Sequence, residues 1–195
     1  SEMCIRDSNG AAGGIGLAAV QIAKAKGATV IAGDISDDKR ELATSYGADH
    51  TIDIMADDLR ESLRQQVFAV TDGRGVDICL DPIGGDVFDA SLRALDFEGR
   101  IITIGYVSGR IPAAKANYFN VKNLSLAGIA LDLYLQKQPE IVHAAMDDLF
   151  EMNRAGKVVP EVTATYQLED FKEVMAMFGA RTAKGKMVLK TAAGN

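Results

Sequence analysis

Short apolar runs alternate with longer amphipathic stretches along most of the chain. The apolar runs predict strands over 28–32, 50–54, 76–80, 100–104 and 124–129. The stretches around them carry apolar residues at helical spacing and predict helices over 14–26, 36–47, 57–71, 86–97 and 139–155. This alternation is typical of βαβ units. We therefore predict an α/β fold with a doubly wound parallel sheet, the Rossmann fold.

The pattern changes character near residue 157. A strand over 161–166, a helix over 168–178 and a strand over 186–190 predict a short strand-helix-strand appendage. We assign residues 10–157 to the doubly wound domain and residues 158–195 to a C-terminal segment that joins the sheet of another domain.

The first eight residues, Ser1-Glu2-Met3-Cys4-Ile5-Arg6-Asp7-Ser8, resemble the translation of a transposase adaptor used in sequencing libraries. We interpret residues 1–9 as an artefact of this origin, which implies a gene that extends upstream. A genuine short strand over 3–5 is the alternative. The first strand of a doubly wound sheet is buried on both faces, so Arg6 and Asp7 in that place would destabilise the domain.

Composition excludes several classes of protein. The chain is 48% hydrophobic and 25% charged, which is ordinary for a globular domain, and its net charge of −6 provides no basic field for nucleic acid. No apolar run approaches the roughly 18 residues of a membrane span. Cys4 and Cys79 suit neither a disulfide framework nor a metal site, so we expect a reducing, cytoplasmic setting.

A glycine-rich segment opens the first predicted helix. In residues 11–16, Gly13 would let the backbone approach a pyrophosphate, and Gly16 would let the helix pack closely. Ala11 stands where the first glycine of the dinucleotide-binding pattern is expected. The alternative is a glycine-rich helix start that serves packing alone.

An acidic residue follows the second predicted strand. Asp34 stands where a carboxylate can accept hydrogen bonds from an adenosine ribose, and its charge disfavours a 2′-phosphate, which favours NAD. Lys39 and Arg40 could instead pair with a 2′-phosphate and favour NADP. A solvated acid and two exposed helix charges are the alternatives.

Several motifs, taken in order, resemble the quinone-oxidoreductase branch of the medium-chain dehydrogenase/reductases, which acts without zinc. The similar segments are Gly10-Ala11-Ala12-Gly13-Gly14-Ile15-Gly16-Leu17-Ala18-Ala19-Val20-Gln21, Gly47-Ala48-Asp49-His50, Gly73-Arg74-Gly75-Val76-Asp77, Asp81-Pro82-Ile83-Gly84-Gly85, Ala116-Asn117-Tyr118, Lys122-Asn123 and Gly185-Lys186-Met187-Val188-Leu189. The resemblance runs from Gly10 to Lys190.

The resemblance implies an oxidoreductase that transfers hydride from NAD(P)H to a quinone or an activated alkene. It also implies an N-terminal GroES-like catalytic domain that is absent here, so this chain would at most bind the dinucleotide. Homodimerisation through the edge strand, 124–129, is implied as well. The implied cofactor residues are Gly13, Gly14, Ile15 and Gly16 at the pyrophosphate, Asp34, Ser36 and Lys39 around the adenosine ribose, and Pro82, Ile83, Gly84, Gly105, Tyr106, Val107 and Gly128 beside the nicotinamide.

Some residues depart from that branch. Asp34 is more typical of NAD-dependent alcohol dehydrogenases, and Ile54 stands where NADPH-dependent quinone reductases often have tyrosine. A fragment of a zinc-dependent alcohol dehydrogenase therefore stays an alternative, with its Cys and His ligands in the absent segment. A non-catalytic nucleotide-binding module is another. We expect Cys79, His50 and His143 to be structural.

Overall fold

A six-stranded parallel sheet forms the centre of the molecule. The computed structural model describes the backbone of residues 5–191 and the side chains of residues 8–191. Strands β1 to β6 lie in the order β3-β2-β1-β4-β5-β6. Their bounds are Ile5–Asn9, Thr29–Asp34, His50–Asp53, Val76–Asp81, Leu95–Thr103 and Ser125–Gly128. The predicted doubly wound parallel sheet is confirmed.

The strand order reverses between β1 and β4, the two central strands. β1 pairs in parallel with β2 from Ile5 to Asn9 and with β4 from Arg6 to Ser8. The backbone of residues 5–9 therefore occupies the central position of the sheet. Met3 and Cys4, which belong to the adaptor-like segment and to the alternative strand over 3–5, lie outside the described residues.

Helices follow the strands in sequence and cover both faces of the sheet. Their bounds are α1 Gly14–Ala25, α2 Asp37–Ser45, α3 Leu59–Val70, α4 Gly85–Ala94, α5 Ala116–Lys122, α6 Leu131–Lys137, α7 Pro139–Arg154 and α8 Phe171–Gly179. Alternate residues of β2 point to opposite faces, as the period of a strand requires. Val30 packs in an alanine-rich cluster with α1 and α2, and Ile31 packs in a cluster of larger residues with α3 and α4.

The fifth strand begins earlier than the pattern predicts. The prediction of a helix to residue 97 and a strand from residue 100 is wrong, because α4 ends at Ala94 and β5 starts at Leu95. Val76 pairs with Leu95 while Ile78 pairs with Arg100, so the intervening residues form a bulge. Gly99 allows it, because a Cβ there would lie 2.8 Å from the carbonyl oxygen of Asp96.

Two seven-residue helices, α5 and α6, were not predicted. Helix α5 contains the Ala116-Asn117-Tyr118 motif. It is capped at its C-terminus by Asn123, whose φ of 55° is left-handed. Helix α6 follows β6 directly and carries Leu133 and Tyr134. Both are too short for a clear helical period in the sequence.

The C-terminal appendage forms a separate two-stranded sheet. Strands β7, Val162–Gln167, and β8, Lys186–Lys190, pair in parallel with each other. The predicted helix between them is a 3₁₀ turn over Leu168–Asp170 followed by α8. A single bridge between Gly13 and Gly185 links this unit to the glycine-rich segment within the described residues. The division into domains at residue 157 stays a prediction.

Candidate functional site

The carboxyl ends of the parallel strands meet at one edge of the sheet. The residues predicted to bind a dinucleotide follow the ends of five strands there. Gly13, Gly14, Ile15 and Gly16 follow β1; Asp34, Ser36 and Lys39 follow β2; Pro82, Ile83 and Gly84 follow β4; Gly105, Tyr106 and Val107 follow β5; and Gly128 ends β6. In doubly wound sheets, ligands bind at this edge, where the strand order reverses.

The glycine-rich segment is a tight turn that leads into the first turn of α1. The N–H of Gly13 donates to the carbonyl oxygen of Gly10 over 3.0 Å, and α1 begins at Gly14. Ile15 is 52% exposed, so this helix start faces solvent. A Cβ on Gly16 would lie 2.3 Å from the Gly10 oxygen, so only glycine allows this approach of helix and loop. The first-turn N–H groups and the helix dipole favour an anion here.

The carboxylate of Asp34 is buried and engaged by the backbone. Asp34 is 3% exposed. Its Oδ2 accepts the N–H of Ala12, and its Oδ1 accepts the N–H of Ile35, both over 2.8 Å. Lys39 Nζ lies 3.9 Å from the same Oδ1 and offsets its charge. The role of Asp34 as a ribose acceptor stays a prediction, and its carboxylate already ties β2 to the glycine-rich segment.

Ser36 occupies the N-cap position of α2 but makes no capping hydrogen bond to the backbone. Its hydroxyl donates instead to the carboxylate of Asp38. The ammonium of Lys184 also binds Asp38. The hydrogen bond from Lys184, with that from Ser36, lowers the pKa of Asp38 to about 2.

The connection between α8 and β8 covers this side of the site. Lys39 Nζ donates to the carbonyl oxygen of Arg181 over 2.8 Å, and the N–H of Gly185 donates to the carbonyl oxygen of Ala12 over 2.7 Å. Together with the Lys184–Asp38 pair, these contacts fasten residues 181–185 to the turn after β1 and to the first turn of α2. We call residues 181–185 the C-terminal clamp. These residues lie about 150 positions from their partners, so no local pattern could indicate the contacts.

A buried carboxylate shapes the turn after β4. Asp81 is fully buried, and its side chain accepts the N–H groups of Ile83 and Gly84 over 3.1 to 3.2 Å. Burial raises the pKa of Asp81, although these N–H donors oppose the shift. Gly84 has a φ of +71°, which favours glycine. The carboxylate therefore sets the conformation of residues 82–84.

Asn9 was not predicted as a site residue, yet it joins the two central strands. It is fully buried at the end of β1, and its Nδ2 donates to Ser91 Oγ over 3.1 Å and to Asp81 Oδ1 over 3.4 Å. It also lies 3.7 Å from the sulfur of Cys79. Cys79 is fully buried within β4, as a structural residue is expected to be.

A cavity of about 510 Å³ opens at the ends of β5 and β6. Of the residues predicted beside the nicotinamide, Gly105, Tyr106 and Gly128 line it, whereas Pro82, Ile83, Gly84 and Val107 do not. The remaining lining residues come from strand ends and from the unpredicted α6, and they are Thr103, Ile104, Ile129, Ala130, Leu133, Tyr134, Lys137 and Gln138. The wall is mostly apolar, as small-molecule sites usually are.

Within residues 5–191, no cluster of His, Cys, Asp and Glu could hold a metal ion. No helix there is long and apolar enough to cross a membrane. His50 is half-buried at the start of β3, and His143 is exposed on α7. The expectation that both histidines are structural stays a prediction.

The parallel sheet, its reversed strand order and the glycine-rich helix start define a Rossmann-type domain. The chain belongs to the zinc-binding dehydrogenase family, whose sequence profile matches residues 14–151. The predicted resemblance to the quinone-oxidoreductase branch of the medium-chain dehydrogenase/reductases is confirmed by its relatives.

A curated relative and two solved structures illustrate the likeness. The quinone oxidoreductase-like protein 2 homolog of Nematostella vectensis is 32% identical over 182 residues, covering 93% of this chain and 49% of the relative. A mycobacterial protein solved in complex with NADPH has a TM-score of 0.86 at 27% identity, covering 95% of this chain and 56% of its own. Escherichia coli quinone oxidoreductase in complex with NADPH has a TM-score of 0.83 at 27% identity, covering 96% of this chain and 57% of its own. This chain thus spans about half the length of these proteins.

Proposed function

We propose that this chain binds NAD(P)H, with the pyrophosphate at the first turn of α1. The exposed helix start beside the reversal of strand order carries the proposal, because unpaired N–H groups there are open to an anion. The exposure of Gly14 and Ile15 supports it, since both residues lie in the first turn of this helix. The NADPH complexes of two structural neighbours agree with this assignment.

We propose that the phosphorylated cofactor, NADPH, is preferred. Repulsion of a 2′-phosphate by Asp34 was the reason to favour NADH. In the structure, two backbone N–H groups and Lys39 compensate that carboxylate. Lys39 and Arg40 at the start of α2 carry the positive charge that a 2′-phosphate would require, and Arg40 also pairs with Asp37 and Asp53.

We propose that the whole protein transfers hydride to a quinone or an activated alkene. Bound NADPH would supply the hydride from its nicotinamide C4, and solvent or a protein group would supply the proton. The turns after β4, β5 and β6 would orient the nicotinamide, and the apolar cavity beside them suits a planar acceptor. The names of the relatives support this substrate class.

The binding proposal is tested by a charge placed at the helix start. Asp suits the first turn of a helix, so Gly14→Asp keeps the fold but places a negative charge beside the pyrophosphate. We expect its affinity for NADPH, followed by nicotinamide fluorescence, to fall about tenfold or more, a difference of about 1.4 kcal/mol. Gly14→Asn is the matched neutral control and keeps most of the affinity. Equal affinity of both variants and the parent chain would place the nucleotide elsewhere.

Titration of the unmodified chain with NADH and NADPH tests the cofactor preference. Tighter binding of NADPH supports it, and tighter binding of NADH restores Asp34 as the deciding residue. Oxidation of NADPH in the presence of 1,4-naphthoquinone, followed at 340 nm, tests hydride transfer in a protein that carries the full length of its relatives.

We also propose that a second copy of the chain pairs along β6. Among residues 5–191, β6 has a hydrogen-bonded neighbour strand on one side, β5, and Leu126 is 48% exposed. An outer strand with open backbone groups favours pairing with another strand. Light scattering should give the mass of a dimer for the parent chain and of a monomer for Leu126→Lys. A monomeric parent chain would contradict the proposal.

A further inference from the structure

Asn9 and Asp81 link the two loops that follow the central strands, β1 and β4. Asn9 ends β1 and directly precedes Gly10, the first residue of the glycine-rich turn. Asp81 ends β4 and directly precedes the turn over 82–84. Both side chains are fully buried, and Asn9 Nδ2 lies 3.4 Å from Asp81 Oδ1. One hydrogen bond therefore joins residues that are 72 positions apart.

The link continues into the loop after β5. The turn residues Pro82 and Ile83 accept, through their carbonyl oxygens, the N–H groups of Val107 over 3.1 Å and Ser108 over 3.0 Å. The N–H of Ile104 donates to the carbonyl oxygen of Asp81 over 2.9 Å. A shift of the Asp81 carboxylate would thus be passed to both segments expected beside the nicotinamide.

The network is not optimal for stability. Asn9 Oδ1 is buried and has no hydrogen-bond partner among the described residues. A buried acceptor without a protein partner costs free energy that a well-packed apolar side chain would avoid. Departures of this kind are typical of functional positions.

We propose that Asn9 and Asp81 are positioning residues that hold the nicotinamide side of the site in register with the pyrophosphate loop. This inference rests on the proposed binding of NAD(P)H. It also treats Asn9 as part of the protein, because the adaptor-like match ends at Ser8, and so departs from the interpretation of residues 1–9 as an artefact. In this proposal, different contacts support the two halves of the cofactor site. The hydrogen bond from Ala12 to Asp34 and the C-terminal clamp hold the adenosine side of the site without Asn9. The nicotinamide side depends on Asn9 through Asp81.

The test compares the whole cofactor with the same molecule lacking nicotinamide. NADPH and 2′-phospho-ADP-ribose are titrated against the parent chain and Asn9→Leu. We expect Asn9→Leu to lower the affinity for NADPH about tenfold and that for 2′-phospho-ADP-ribose less than about threefold. A purely structural role would reduce both affinities equally. Equal losses, or no loss, would overturn the inference.

Three further variants keep the test decisive if Asn9→Leu folds poorly. Asp81→Ala removes the acceptor from the other end and should give the same selective loss. Asp81→Asn keeps a side-chain oxygen for Asn9 and for the N–H groups of the turn, so it should retain NADPH binding. Ser91→Ala removes the second acceptor of Asn9 and leaves the Asp81 link, so its affinities should stay within about twofold of the parent.

Amide hydrogen exchange separates failure of this inference from failure of the proposed function. In Asn9→Leu, exchange should rise at Ile83, Gly84, Val107 and Ser108, while Leu17 in α1 keeps its protection. This result supports the link even if the parent chain binds no pyridine nucleotide, which would contradict the proposed function alone. Unchanged exchange at the four residues would overturn the link.

Discussion

The N–H of Ala12 donates a hydrogen bond of 2.8 Å to the Asp34 carboxylate, joining the glycine-rich segment to the end of β2. The other oxygen of Asp34 accepts the N–H of Ile35. A residue whose position in the sequence suggests a ligand role therefore has a structural one as well. The carboxylate satisfies the buried N–H of Ala12 and the partly buried N–H of Ile35, which would otherwise lack partners.

Replacing Asp34 tests this structural role. Asp34→Asn keeps one acceptor oxygen but loses the charge and one of the two N–H bonds, so the free energy of unfolding should fall by about 1–3 kcal/mol. Urea denaturation measures the change. Asp147→Asn, at an exposed position of α7, is the control and should change stability by less than about 0.5 kcal/mol. An Asp34→Asn variant as stable as the parent chain would show that the hydrogen bonds of Asp34 contribute little to the free energy of unfolding.

Gly16 and Gly14 lie in the same helical turn but differ in the space around them. A Cβ on Gly16 would lie 2.3 Å from the oxygen of Gly10 and 2.5 Å from the Cα of Ala11, which is backbone that cannot move freely. We expect Gly16→Ala to lower the free energy of unfolding by about 3 kcal/mol. Gly14→Ala should leave stability within about 1 kcal/mol or raise it, because alanine favours helix. Similar values for both variants in urea denaturation would contradict this geometry.

The sequence pattern predicts the parts of this fold that repeat at short range. The strands after β1, the longer helices and the turn before α1 have local periods and glycine signals, and each is present, with the boundary between α4 and β5 displaced. β1 contains Arg6 and Asp7 and was not predicted over its observed range. The unpredicted α5 and α6 have seven residues each, too few to show a period. The bulge before Gly99 depends on pairing with β4, which the residues of β5 alone do not indicate.

The candidate site likewise contains residues that a local pattern predicts and residues that only long-range contacts bring in. Its glycines and Asp34 stand at fixed offsets from predicted strands. Asn9, Asp81 and Lys184 act through partners far along the chain, and the pattern around each residue is that of an ordinary strand end or loop. Only the folded chain brings them to the carboxyl edge of the sheet.

Lys184 should control the ionisation of Asp38. The pKa of Asp38 lies near 2, because Lys184 and Ser36 donate hydrogen bonds to its carboxylate. We expect Lys184→Met to return this pKa toward the ordinary value of 3.8. A carboxyl ¹³C NMR titration measures it. Lys190→Met, at the end of β8, is the control and should leave the pKa of Asp38 near 2. An unchanged value in Lys184→Met would show that residues 181–185 do not clamp α2.

Asp81 and Asp49 should influence the pH dependence of stability in opposite directions. Burial raises the pKa of Asp81 above 3.8. The folded state therefore holds this proton more tightly than the unfolded state, and stability from Asp81 falls as pH rises from 3.8 through the folded pKa. Burial alone would also raise the pKa of Asp49, but hydrogen bonds from Lys24 and Val30 outweigh it and lower the pKa. Stability from Asp49 is therefore present above pH 3.8 and is lost as pH falls below it.

The neutral variants reveal these two contributions. Measured by urea denaturation from pH 3 to pH 8, the stability of Asp81→Asn minus that of the parent chain should increase with pH. The same difference for Asp49→Asn should decrease with pH, since the variant lacks the ionised, hydrogen-bonded carboxylate. Subtracting the stability of the parent chain removes the contribution of every other titrating group, which is common to all three proteins. A difference for Asp81→Asn that stays flat would mean that water reaches this carboxylate, and that Asp81 does not hold the turn over 82–84 as a buried group.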